Sequence, residues 1–220
     1  MKNHDIPKNN INVNEEELHI TKPSSALETT QKKRPYEILV TFFYLGKIPY
    51  APGSFGSMAA FPVYFVCFLI CMLFFKNMSF NTINLSILLF SVLLFFLGIK
   101  TIDAYIKNQE NQDPPEIVID EVLGQLITIN LVVILLQYVD KKDIQIILDT
   151  KISNVWLLNI LFITMFILFR CFDIVKPWPI NAIDRHVKGG FGVMLDDVVA
   201  AIFATFSFFV LFYFVIDFIK

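Results

Sequence analysis

The sequence predicts an all-α, multi-span integral membrane helix bundle of about five helices, with metal-binding loops at one interface. Three observations carry that expectation. The chain is 55% hydrophobic, and its mean hydropathy of +0.61 puts it in the membrane class rather than the soluble one. Five apolar runs alternate with polar connectors: Phe61–Phe75, Leu85–Ile99, Val122–Val139, Val155–Phe169 and Val198–Ile219. The acidic and basic residues gather at the ends of these runs, where ionisable groups need a partner, water or a metal to be tolerated.

In chain order, residues 1–35 are polar and poor in apolar residues, as expected of a disordered tail. Residues 36–220 then form the membrane-embedded domain. Tyr36–Leu45 is apolar but too short to span, and suits an interfacial or re-entrant helix. Gly46–Ala60 contains Pro49, Pro52, Gly53 and Gly56 and reads as a constrained loop. Ser54 or Ser57 could cap the helix that follows, or that helix could offer its N–H groups to an anion. The first, second and fourth apolar runs are short for a span and need flanking residues to complete it. Lys100–Glu121 ends in Asp120 and Glu121, at the mouth of an apolar run, with Gly124 one turn below Asp120. Asp140–Asn154 has neither Gly nor Pro and is expected to be a solvated loop.

Phe169–Ala201 is the most informative stretch. It holds Arg170, Asp173, Lys176, Asp184, Arg185, Lys188, Asp196 and Asp197 between two apolar runs. Arg170 and Asp173, three apart, share one face of a helix that Pro177 and Pro179 should stop. Gly189, Gly190 and Gly192 permit close backbone approach to a ligand. Asp196 and Asp197 are expected to begin the next helix, where carboxylates suit the dipole. An adjacent acid pair serves a hard cation well and a core badly. Two such pairs at two helix starts point to one shared metal site, formed by Asp120, Glu121, Asp196 and Asp197.

Other classes recede. A net charge of −2 supplies no basic field for nucleic acid. Three Cys cannot build a disulfide framework, and Cys171 lacks the spacing to an Arg that a phosphate-binding thiolate loop needs, so packing is its expected role. His186 follows Arg185 and is expected at the surface. Oligomeric state is left open.

Four motifs occur in order between the apolar runs: PGSFGS, IVIDEVLG, FRCFDIVKPWPI and GGFGVMLDD. Together they resemble the phosphatidylglycerophosphatase A family, over roughly Tyr36 to Lys220. The family pattern carries Thr where this chain has Ser54, which keeps the hydroxyl. The resemblance implies a Mg²⁺-dependent membrane phosphatase acting on phosphatidylglycerophosphate, with metal binding and catalysis falling on Asp120, Glu121, Asp173, Asp196 and Asp197. Arg170, Lys176 and Arg185 would neutralise the phosphate. Gly53, Ser54, Gly56, Ser57, Gly189 and Gly190 would let backbone and hydroxyls close on it. Attack by water and attack by a carboxylate both remain open. A CDP-alcohol-type phosphatidyltransferase and a small ion-coupled transporter are the rival readings. The transferase run Asp-x-x-Asp-Gly-x-x-Ala-Arg is absent, and a transporter should place its charges near the bilayer midplane.

If all five runs span, every one of these motifs falls on one side of the membrane. That side carries 13 Lys and Arg residues and the other five. The excess predicts an active site facing the cytoplasm of a cell inner membrane.

Overall fold

The computed structural model describes residues 35–75, 78–107, 114–148 and 153–220. The expected tail lies outside these residues except for Pro35. The described residues form helices and connecting turns with no strand. Five helices are long and apolar enough to cross a membrane: α2 (Pro52–Phe74), α3 (Phe80–Ile106), α4 (Ile119–Leu136), α6 (Asn154–Val175) and α8 (Gly189–Ile219). Among the described residues there are also three short α-helices, α1 (Pro35–Val40), α5 (Lys141–Leu148) and α7 (Ile180–His186), and one 3-10 turn at Leu45–Lys47. The chain is a membrane protein, and most of the large hydrophobic side chains exposed along the spans are Phe, Leu, Ile and Val.

Every span is longer than its apolar run, except α4. The helices start or end inside the polar flanks, because a hydrogen-bonded backbone is favoured up to and through the membrane boundary. Thus α2 begins at Pro52, and PGSFGS is its opening turns rather than a loop. Pro at the first helical position has no N–H to leave unpaired. The cap is Ala51, so neither Ser54 nor Ser57 caps the helix. Likewise α8 begins at Gly189, which takes a φ of 76° at the helix start. Asp196 and Asp197 therefore lie two turns inside it rather than at its beginning. In contrast, α6 stops where expected. Lys176 caps it in the left-handed region, and Pro177 and Pro179 follow.

The segment Asp140–Asn154 contains α5 where a loop was expected. Its Ile144 and Ile147, three apart, pack on the core, and Asp140 Oδ1 accepts from the Lys142 N–H at 3.0 Å. At the other end of the bundle, α1 is tied to the α4 entrance by Val118 N–H donating to Val40 C=O at 3.1 Å.

Helix α4 is the centre. It is the shortest span, yet 61% of its apolar window is buried, against 11% for α2 and for α6. It packs against α2, α3, α6 and α8. Small residues allow these approaches, as membrane helix contacts require. A Cβ on Gly124 would lie 2.5 Å from the Phe169 ring, and one on Gly190 would lie 2.4 Å from the Ile99 carbonyl oxygen. Val122, Leu126 and Ile129 of α4 share a core cluster with Ala60, Ile83 and Phe208.

Candidate active site

The starts of α2, α4 and α8 and the end of α6 meet around a polar cavity of about 310 Å³. That volume falls at the lower end of small-molecule sites. Its lining includes Gly53, Asp120, Glu121, Arg170, Asp173, Lys176, Asp196 and Asp197, with Pro52, Pro114, Pro115, Ile117 and Val193 completing the wall. Residues more than 70 positions apart in sequence are thus drawn together because four helices each turn a polar end to the same place.

Asp120 and Glu121 stand in the first turn of α4, beyond its cap residue Val118. The N-terminal partial charge of that helix favours both carboxylates. One oxygen from each of Asp120, Glu121 and Asp197 lies within 4.8 Å of the others. Asp120 and Asp197 are buried, and Glu121 is nearly so. Glu121 Oε2 and Asp197 Oδ2 have no hydrogen-bond partner in the protein. Buried, mutually repelling carboxylate oxygens are strongly unfavourable alone. A hard divalent cation matches their oxygen chemistry and removes the repulsion.

Asp196 points to a different task. Its Oδ2 accepts from Lys176 Nζ at 2.6 Å, and its Oδ1 accepts from the Asp197 N–H at 3.1 Å. It stands outside the three-acid group. Lys176 also bonds Asp184 Oδ1 at 2.7 Å and so joins α6, α7 and α8. Burial opposes the charge on Lys176, but hydrogen bonds to Asp184 and Asp196 outweigh it and raise the ammonium above the usual lysine range. Lys176 is therefore a fixed cation at neutral pH.

Arg170 organises the wall between the two groups. Its Nη1 donates to Asp173, reaches Ser57 Oγ at 3.4 Å and lies 3.9 Å from Glu121 Oε1. Ser57 Oγ in turn donates to Gly53 C=O at 2.9 Å. Gly53 is indispensable to this packing: a Cβ there would lie 2.2 Å from Glu121 Oε1 and 3.1 Å from Arg170 Nη1. Five carboxylates face two cations across the cavity. The imbalance fits a site that takes up positive charge.

Other sequence candidates stand elsewhere. Gly56 packs α2 against Val118, and Ser54 is on α2 outside the cavity lining. Arg185 is exposed on α7, also outside that lining. The Gly190 N–H is taken by Asp103 Oδ1 at 2.6 Å, and Gly189 and Gly190 serve the α8–α3 contact rather than the cavity wall. His186 is exposed and its ring nitrogen meets the Ala182 carbonyl oxygen at 2.8 Å. Cys171 is exposed on α6 and not packed, since Arg170 and Asp173 take the inward face. Asp103 escaped the sequence reading, because one acid at the end of an apolar run carries no spacing signal.

The family model described as phosphatidylglycerophosphatase A matches residues 38–212. An Escherichia coli phosphatidylglycerophosphatase A is 30% identical over 168 residues, covering 76% of this chain and 78% of that protein. The Haemophilus influenzae phosphatidylglycerophosphatase A is 31% identical over 170 residues, covering 77% and 84%. A Bacteroides thetaiotaomicron protein with the provisional name of a phosphatidylinositol-3-phosphatase is 28% identical over 175 residues, covering 78% and 92%. No solved structure gives a significant match.

Proposed function

The chain belongs to the phosphatidylglycerophosphatase A family, and from that membership and the cavity we propose that it hydrolyses the phosphomonoester of phosphatidylglycerophosphate to phosphatidylglycerol and phosphate. The observation that carries the reading is the meeting of Asp120, Glu121 and Asp197 with Arg170 and Lys176 in one polar cavity at the end of an apolar bundle. A lipid phosphomonoester has the matching shape: an anionic head at the interface and acyl chains in the bilayer.

In this reading Asp120, Glu121 and Asp197 hold Mg²⁺, and Asp196 keeps Lys176 aimed into the cavity. The cation, when bound, supplies Lewis-acid polarisation of the phosphoryl group and acidifies a water. Arg170 and Lys176 neutralise the phosphate dianion and the charge that grows on it as the P–O bond to the glycerol breaks. Arg170 is held by Asp173, so its fork is oriented before substrate arrives. A water oxygen joins phosphorus as the P–O bond to glycerol breaks, an acid of the cavity takes one proton from the water, and that proton passes to the glycerol oxygen, which leaves as the alcohol. The catalytic domain is residues 36–220. The protein is a multi-pass component of the cell inner membrane with its cavity facing the cytoplasm, following the excess of Lys and Arg on that side.

The transferase and transporter alternatives fit less well. The family is named for a phosphatase, and the charged groups stand within about two turns of helix ends rather than midway along the spans. The test is phosphate release by the purified protein in detergent, from phosphatidylglycerophosphate, phosphatidic acid and a phosphatidylinositol phosphate, with Mg²⁺ and with chelator. Release should be fastest from phosphatidylglycerophosphate, require Mg²⁺ and disappear in Glu121→Gln. Equal rates with chelator would remove the metal, and preference for another lipid would move the substrate.

A further inference from the structure

Gln125 is fully buried in α4, one turn beyond Glu121. Neither its amide oxygen nor its amide nitrogen has a hydrogen-bond partner in the protein. That sets it apart from its buried neighbours. Ser57, Ser91, Thr101, Thr128 and Thr205 each donate to a carbonyl of their own helix. Asn84 and Asn130 bridge helices, with Asn130 Nδ2 donating to the Asn84 carbonyl oxygen at 3.0 Å and Asn84 Oδ1 accepting from Tyr64 at 2.6 Å. An amide left without partners in an apolar interior is strongly unfavourable, because it gives up its hydrogen bonds to water and gains none in return. Leu would fill this position at no such cost. Helix α4 is surrounded by α2, α3, α6 and α8, so bulk water does not reach Gln125 from the side.

One turn earlier on the same helix stands Glu121, whose Oε2 also has no partner in the protein. Residues four apart on a helix have Cβ atoms about 5–6 Å apart. Two buried polar groups at that spacing, not bonded to each other, suit an ordered water between them.

We propose that Gln125 is a positioning residue for the metal site: through a buried water its amide holds Glu121 Oε2 and fixes that carboxylate for cation binding. The water donates one hydrogen to Glu121 Oε2 and accepts from the Gln125 amide N–H. Orientation of a ligand by an outer partner typically changes metal affinity about 10–100-fold when removed. This rests on the reading of Glu121 as a cation ligand.

The role separates from packing through the order of two variants. Gln125→Leu keeps the volume and removes the polar group. Gln125→Ala opens a void that further water can enter beside Glu121. Binding of Mn²⁺ alone to the substrate-free, full-length protein is read by loss of the free-ion EPR signal, and thermal stability is measured alongside. Positioning predicts at least tenfold weaker Mn²⁺ binding in Gln125→Leu with stability kept, and a smaller loss of affinity in Gln125→Ala despite lower stability. Should Leu fail to give folded protein, Gln125→Met makes the same comparison. Wild-type affinity in Gln125→Leu, or weaker binding in Gln125→Ala than in Gln125→Leu, overturns the role. Absence of Mn²⁺ binding by the wild-type protein itself overturns the metal reading, and is thereby told apart from a failure of Gln125 alone.

Discussion

At the scale of single residues, the site is built on contacts that leave no slack. Arg170 meets Asp173, Ser57 and Glu121 through one nitrogen. An ammonium lacks the planar fork to serve neighbours and phosphate together. Arg170→Lys should lower kcat/KM at least tenfold, about 1.4 kcal/mol of transition-state stabilisation. A kinetically silent substitution would give Arg170 a purely structural role. Gly53 offers a different test. The atom a Cβ would strike is the end of the Glu121 side chain, which can swing away. Gly53→Ala should therefore keep the fold and lose most of the activity, with a raised Mg²⁺ requirement. Normal turnover at limiting Mg²⁺, measured beside an unchanged melting temperature, would show that the Glu121 position is not critical.

At the scale of helices, the same kind of substitution has the opposite outcome where backbone meets backbone. A Cβ on Gly190 would lie 2.4 Å from the Ile99 carbonyl oxygen and 3.1 Å from Ile102 Cβ. Neither atom can rotate aside. Gly190→Ala forces α8 away from α3 and strains the Asp103 contact to the Gly190 N–H. Overpacking of this kind costs about 1–3 kcal/mol. The variant should melt earlier in detergent, and activity should fall in proportion, because α8 carries Asp196 and Asp197. An unshifted melting temperature would mean that α3 and α8 are not rigidly packed there. The contrast between Gly53 and Gly190 separates a glycine that makes room for chemistry from one that makes room for a helix.

At the scale of the whole molecule, five spans place the α2, α4 and α8 starts and the α3 and α6 ends on one side. The cavity draws its lining from that side alone, as a single active site requires. With native Cys67, Cys71 and Cys171 replaced, single cysteines at Lys107, Asp140 and Lys220 report the arrangement. An impermeant thiol reagent applied to intact cells should label positions 140 and 220 and spare 107. Labelling of 107 and 140 from the same side would mean that α4 does not cross, and the five-span arrangement would fail.

The sequence by itself determined the membrane class, the number of helices long and apolar enough to span, and which residues stand out as candidates for a site. Apolar runs and charge placement are local, additive properties, so Asp120, Glu121, Arg170, Asp173, Lys176, Asp196 and Asp197 were legible as candidates before any helix was packed, and all seven line the one polar cavity. Where helices begin was less legible, because Pro52 and Gly189 look like loop residues until the backbone is seen to run on through them. Helix α5 was missed for a similar reason: its packed Ile144, Ile146 and Ile147 make too short a pattern to separate from a connector. Only the tertiary structure divided the acids between two sets of neighbours. Asp196 and Asp197 are adjacent in sequence, yet successive residues on a helix point about 100° apart. Asp197 turns toward Asp120 and Glu121, while Asp196 turns to Lys176. The burial of Gln125 was likewise decided by α4 being the central helix, because burial depends on which neighbours surround a face and no local pattern along one chain records them.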